Sequence, residues 1–299
     1  MGKSVMSDQA KQIETGAGFI AALDQSGGST PKALGLYGVD ASAYGSEAEM
    51  FAEVQKMRAR IILAPDFNNK KVIGAILFER TMGEQIKGKS VPDYLWNDCG
   101  VVPFLKIDKG LEDEANGVQL MKPMPEVEVT LAAAKEAGIF GTKERSVVNS
   151  ANEIGIAQVV DQQFELAKAV IAAGLVPIVE PEVNIHAADK AEAENMLRDA
   201  LKTQLDALED GQNVMLKLTI PEVAGQYDGL ADHPRVMRVV ALSGGYSTDE
   251  ACARLVQNPK MIASFSRALT EGLQRDMSDA DFDAALGVNI GKIYDASVA

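Results

Sequence analysis

Residues 156–218 read IAQVVDQQFELAKAVIAAGLVPIVEPEVNIHAADKAEAENMLRDALKTQLDALEDGQNVMLKL. The spacing of apolar residues predicts a helix from Ile156 to Ala173, with Gly174 where a helix C-terminus favours glycine. Val176-Pro177-Ile178-Val179-Glu180 is a short β-type run. A second helical pattern, Ala187 to Leu208, closes at Gly211, and Val214 to Leu218 is another β-type run. Strands separated by a helix rather than by a tight turn run parallel, because a parallel pair needs a long crossover.

The same alternation continues outward in both directions. Further strands are expected at Phe19–Leu23, Arg60–Ala64, Val101–Ile107, Phe140–Val148, Val236–Leu242 and Met261–Phe265, which makes eight in all. Ser247-Thr248-Asp249-Glu250 is a capping box that opens a helix. Eight βα units in about 250 residues predict an α/β protein with a (β/α)8 TIM barrel. The rival is an open doubly wound sheet, whose Gly-rich phosphate turn is missing here: Asp24-Gln25-Ser26-Gly27-Gly28-Ser29 does not match GxGxxG. No linker, repeat or low-complexity tract divides the chain. One domain is expected over residues 1–299, with short helical extensions near residues 1–17 and from Met277 to Ala299.

Of the 299 residues, 46% are hydrophobic and 24% charged, a composition that suits a packed globular protein. The formal net charge of -14 argues against a nucleic acid or an anionic membrane as partner. Any anion it binds must meet a locally basic site. Cys99 and Cys252 stand outside any CxxC pair, which fits a reducing cytoplasm. The N-terminus lacks a signal-peptide pattern, and no apolar run approaches the roughly 20 residues that span a bilayer. His186 and His233 are too few for a zinc site built on several imidazoles.

Catalytic groups of a barrel sit at the C-terminal ends of its strands. The ionisable residues expected there are Asp24, Asp66, Lys106 with Asp108, Lys143 with Arg145, Glu180 with Glu182, Lys217 and Arg267. Lys217 interrupts an apolar run in a strand expected to be buried on both faces. It is either a strand-end lysine that reaches solvent or a carboxylate, or a nucleophile. An amine attacks a carbonyl only when neutral, and burial beside cations such as Lys106 and Lys143 favours that form. The iminium that results is an electron sink for a neighbouring carbanion, which suits carbon–carbon cleavage. Glu180 and Glu182 share one face of a strand. They are either an acidic rim or a proton-transfer group with its neighbour. Lys106 and Lys143, taken singly, suit ion pairing as well as chemistry. Leu242-Ser243-Gly244-Gly245 and Arg267 follow the seventh and eighth strands, where barrels commonly hold phosphate through N–H donors and a cation. Ser26 and Ser29, with Lys106 near, form a second candidate cradle.

Taken together these motifs resemble the class I fructose-1,6-bisphosphate aldolases, in their short bacterial form. The matching stretches are Ala22–Ser29, Gly100–Gly110, Lys143-Glu144-Arg145, Val176–Glu182, Leu216-Lys217, Leu242–Ser247 and Phe265–Leu269, in family order over nearly the whole chain. The resemblance implies a metal-independent lyase with no cofactor. It implies Lys217 as the imine-forming lysine and Glu180 as general acid/base, with Asp24, Lys143 and Glu182 positioning and polarising the substrate. Ser243, Gly244, Gly245 and Arg267 would hold the phosphate nearer the ketone, and Ser26, Ser29, Lys106 and Arg145 the other. The sole expected partner is a sugar phosphate, fructose 1,6-bisphosphate, split to dihydroxyacetone phosphate and glyceraldehyde 3-phosphate; the oligomeric state, monomer or homo-oligomer, stays open. Two departures stand out. The chain ends Ile293-Tyr294-Asp295-Ala296-Ser297-Val298-Ala299 without the longer members' Tyr-terminated tail, and Tyr294 is not expected to replace it. The family's Lys-Pro-Asn is here Lys217-Leu218-Thr219. Among other readings, a transaldolase or a monophosphate aldolase is disfavoured by the two cradles, and a scaffold without activity by the intact Lys217, Glu180, Lys143 and Asp24 set.

Overall fold

Among the described residues, eight strands follow one another around a single parallel sheet in chain order: β1 (Phe19–Leu23), β2 (Val72–Leu77), β3 (Val102–Lys106), β4 (Gly141–Val148), β5 (Val176–Val183), β6 (Val214–Thr219), β7 (Val236–Leu242) and β8 (Met261–Ala263). The computed structural model of the protein describes residues 2–26 and 29–299. β8 returns to lie beside β1, so the sheet nearly closes, and the architecture is a (β/α)8 barrel. A two-residue strand, Val118–Gln119, adds antiparallel to the end of β4.

Helices α1 (Gly2–Thr15), α2 (Ser29–Leu36), α3 (Glu47–Leu63), α4 (Val91–Asn97), α5 (Val127–Glu136), α6 (Glu153–Ala172), α7 (Lys190–Asp206), α8 (Thr248–Leu255) and α9 (Asp279–Ser297) connect or flank the strands, with shorter helical turns between them. Helix α1 closes the N-terminal mouth of the barrel. Its Ile13 joins the interior cluster, Gln12 Nε2 donates to the carbonyls of Ile73 and Gly100, and Arg238 donates to the carbonyls of Ile13 and Gly16 at its last turn. Helix α9 packs on β8 and β1, taking the eighth helical place.

The expected second strand at Arg60–Ala64 is corrected: residues 60–63 are the last turn of α3, and the strand is Val72–Leu77. The physical reason is visible in the burial. Val54, Met57, Arg58, Ile61 and Ile62 are buried at helical spacing, and Ser46 caps the helix by accepting from the Glu49 amide. Asp66 therefore lies in the turn before β2, beside Gly287 of α9, and not at the C-terminal end of a strand.

Side-chain alternation along the strands sorts two cores. Phe19, Ala21, Leu23, Val179, Leu216 and Leu218 face the helices, while Ile20, Phe104, Phe140, Ile178, Met215, Val240 and Ile262 fill the barrel. Phe104 and Phe140 meet edge to face with centroids 5.5 Å apart. One further alternation step toward the C-terminal mouth turns these inward positions into Lys106, Glu180, Lys217, Leu242 and Ser264. The site residues are the last layers of the same inward stack.

Candidate active site

At the C-terminal mouth a cavity of about 460 Å³ is lined by Asp24, Ser26, Lys106, Lys143, Arg145, Glu180, Glu182, Lys217, Ser243, Gly244, Gly245 and Arg267. Of the residues singled out from the sequence, these reach one cavity, whereas Asp66 and Asp108 do not line it, and the side chain of Ser29 lies outside the described residues together with Gly27 and Gly28.

Four buried side chains form a continuous chain of charges. Lys143 Nζ lies 2.8 Å from Asp24 Oδ2 and 2.8 Å from Glu180 Oε2, and Lys217 Nζ lies 3.0 Å from Glu180 Oε1. Burial alone would raise the pKa of Asp24, but the Lys143 and Lys217 ammoniums outweigh it and hold the carboxyl well below the ordinary range. Glu180 is held low by the same two lysines against the same burial. For Lys143 burial favours the neutral amine, yet Asp24 and Glu180 overcome it and push its pKa upward. The two carboxylates are ionised and Lys143 is an ammonium across the neutral range.

The cations expected to crowd Lys217 each have a carboxylate of their own. Lys106 Nζ donates to Asp108 Oδ1 at 2.6 Å and to its carbonyl at 2.9 Å, and Asp108 also accepts from the Arg145 and Gly110 amides. Arg145 Nη1 donates to Glu182 Oε2 at 2.9 Å. Among the described residues, the charged group within ion-pair distance of Lys217 is Glu180, a proton acceptor.

The turn after β7 takes backbone conformations that require glycine. Gly244 has φ +60° and Gly245 φ +131°, and a Cβ on either would come within 2.7 Å and 2.9 Å of the Ile185 side chain. Arg267 opens a short helical turn after β8, with its Nη2 near Gly245. Loop geometry on this wall leaves amides and a guanidinium around one space, a suitable anion cradle.

The structure adds side chains to which the sequence assigned no individual role. Lys32 on α2 lines the cavity, as does Ser264, whose buried hydroxyl has no protein partner among the described residues. Gln25 Nε2 donates to Ser266 Oγ and ties the loops after β1 and β8 together. Lys32 falls just after the Asp24–Ser29 motif, and Ser264 falls one step beyond Ile262 on the inward face; that periodicity was the available signal. Tyr294 packs against the outer core and is not among the residues lining the cavity. Among the described residues, no group of three or more His, Cys, Asp or Glu could hold a metal ion, and no helix is long and apolar enough to cross a membrane.

The fold is shared with solved structures of low sequence identity. A fructose-bisphosphate aldolase from Plasmodium falciparum, solved with TRAP and a small-molecule inhibitor, superposes with a TM-score of 0.79 at 18% identity, over 100% of this chain and 96% of that one. Cgl0159 from Corynebacterium glutamicum gives 0.52 at 12% identity, covering 99% and 92%. The family model for fructose-bisphosphate aldolase class-I matches residues 5–229, three quarters of the chain, so the protein belongs to the class-I fructose-bisphosphate aldolase family.

Proposed function

We propose that this aldolase splits fructose 1,6-bisphosphate reversibly into dihydroxyacetone phosphate and glyceraldehyde 3-phosphate, through a Schiff base on Lys217 and without a metal, as one cytoplasmic barrel domain. The observation that carries the reading is the buried Lys217–Glu180–Lys143–Asp24 chain of contacts, which puts an amine, a proton carrier and a fixed cation around one point in the cavity.

The residues divide the chemistry as follows. The Lys217 amine attacks the C2 carbonyl of the open-chain sugar. Glu180, 3.0 Å from that nitrogen, moves the proton needed for water to leave the carbinolamine. The iminium then accepts the electron pair of the C3–C4 bond as it breaks, while the C4 hydroxyl gives its proton to Glu180. Lys143 keeps Glu180 ionised between these events and polarises the departing oxygen, with Asp24 fixing Lys143. Protonation of the enamine at C3 and hydrolysis of the imine release the ketone product and restore Lys217. Ser243, Gly244, Gly245 and Arg267 hold the phosphate on C1. Ser26, Ser29, Lys106 and Arg145 hold the phosphate on C6, with Glu182 aligning Arg145.

Borohydride added with dihydroxyacetone phosphate is expected to inactivate the enzyme irreversibly and to leave the reduced adduct on Lys217, read by peptide mass spectrometry. An adduct on another lysine, or full activity after the treatment, overturns the reading.

A further inference from the structure

Glu180 and Lys217 sit on neighbouring strands, β5 and β6, whose ladder extends over just two register pairs, Ile178 with Met215 and Val179 with Leu216. Alternation explains why it ends there. Val183 turns its N–H and C=O toward β6, and Asn184 turns its N–H toward Val148 of β4. Position 181 therefore faces β6 as well. It is a proline, with no N–H to give, and the ladder stops one pair short of Glu180 and Lys217.

Above this gap a side chain does what the backbone cannot. The fully buried Thr219 Oγ1 donates to the Val183 carbonyl at 2.8 Å and accepts from the Val183 amide at 2.9 Å. Its methyl group points the other way, to the turn after β7, where a Cβ on Gly244 would approach Thr219 Cγ2 to 3.3 Å. One residue thus touches the strand of the proton carrier and the loop of the anion cradle, two positions beyond the lysine.

We propose that Thr219 is a positioning residue: its hydroxyl replaces the missing stretch of β5–β6 ladder and fixes Glu180 at proton-transfer distance from Lys217. The proposal rests on the Schiff-base reading of Lys217. A hydroxyl that merely satisfied a buried backbone pair would affect stability when removed; one that fixes the distance between two reacting groups affects the chemical step.

Two nearly isosteric variants separate these roles. Thr219→Val keeps the methyl group and loses the hydroxyl; its kcat is expected to fall by about 10–10²-fold, the cost of misplacing a reacting group by an ångström or less. Its KM should be little changed, and borohydride trapping of the Lys217 imine should slow by the same factor as kcat. Thr219→Ser keeps the hydroxyl and is expected to retain kcat, with any change appearing in KM through the contact to Gly244. Wild-type kcat in the valine variant, or an equal loss of kcat in the serine variant, overturns the proposal. Should the valine variant not fold, the serine variant and the wild type still decide: a Val183 amide that exchanges rapidly with solvent in either, or loss of kcat in the former, overturns it. Trapping in the wild type keeps the two ideas apart. Absence of a Lys217 adduct there removes the Schiff-base reading itself, whereas normal wild-type trapping with an unslowed valine variant removes only the role of Thr219.

Discussion

Glu144 lies between Lys143 and Arg145 in β4, yet alternation sends its carboxyl out of the cavity and under α6, where it is fully buried. Thr142 Oγ1 is a distant donor at 3.4 Å to one oxygen, and the other has no partner among the described residues. Burial pushes its pKa well above the ordinary carboxylate value, with the Thr142 contact opposing only weakly. The folded pKa thus exceeds the unfolded one. The stability Glu144 contributes is fully present below the unfolded pKa and is lost as pH rises toward the folded value. Glu144→Gln removes that dependence and should be more stable than the wild type at neutral pH. The difference should grow with pH above the unfolded carboxylate pKa, at up to about 1.4 kcal/mol per unit. Urea unfolding of both proteins between acid and neutral pH checks this; parallel stability curves would mean that Glu144 ionises without cost. The sequence placed Glu144 inside a family motif, and its different role came from the direction its side chain takes.

At the scale of elements, α7 is fastened to the loop after β6 by a buried ion pair. Lys190 Nζ donates to Glu194 Oε1 at 2.5 Å and to the Ile220 carbonyl at 3.1 Å, and Glu194 Oε2 accepts from the Glu222 amide at 2.9 Å. Both side chains are at most 6% exposed. Removing one partner leaves a charge without compensation in a dry place, so Lys190→Met should cost about 3–5 kcal/mol. Adding Glu194→Leu should recover much of that, because apolar pairs often replace buried ionic ones at little cost. Denaturant midpoints of the two variants test it: a double variant no more stable than the single one would place the cost in lost packing of the lysine stem. Helix and strand periods made most such elements legible from the sequence, including the full βαβ unit from α6 to β6. Arg60–Ala64 was not, because a helix that buries Ile61 and Ile62 at its last turn reads locally as a β-type run. The true strand, Val72–Leu77, differs in having all its residues buried, and its Gly74 leaves room for Phe104. That is a tertiary reason, outside any local window. The same applies to the pairing of Lys106 with Asp108 and of Arg145 with Glu182: the residue types were legible, and which charges neutralise which depended on register between strands.

Across the whole molecule, a net charge of -14 surrounds a cavity whose walls carry Lys32, Lys106, Lys143, Arg145, Lys217 and Arg267. On the proposed reading, a doubly phosphorylated substrate would be drawn to this local field against the overall charge. The cations are divided between the two sides of the barrel: Arg267 follows β8, beside the glycine turn after β7, whereas Lys106 and Arg145 stand on β3 and β4. Such an arrangement suits an extended ligand with an anionic group at each end. If the ketone end is held at the β7–β8 side, Arg267→Ala should raise KM for fructose 1,6-bisphosphate and for fructose 1-phosphate alike. Lys106→Met should raise it for the bisphosphate only, since the monophosphate has nothing to offer at that end. Each loss should be about 10–10²-fold, the worth of a hydrogen bond to a charged group at about 1.5–3 kcal/mol. Steady-state kinetics with both sugars decides the matter. Equal loss on both sugars for Lys106→Met would mean that the lysine acts through Asp108 on the β4 backbone, and hence on Arg145 and Lys143, rather than on a phosphate.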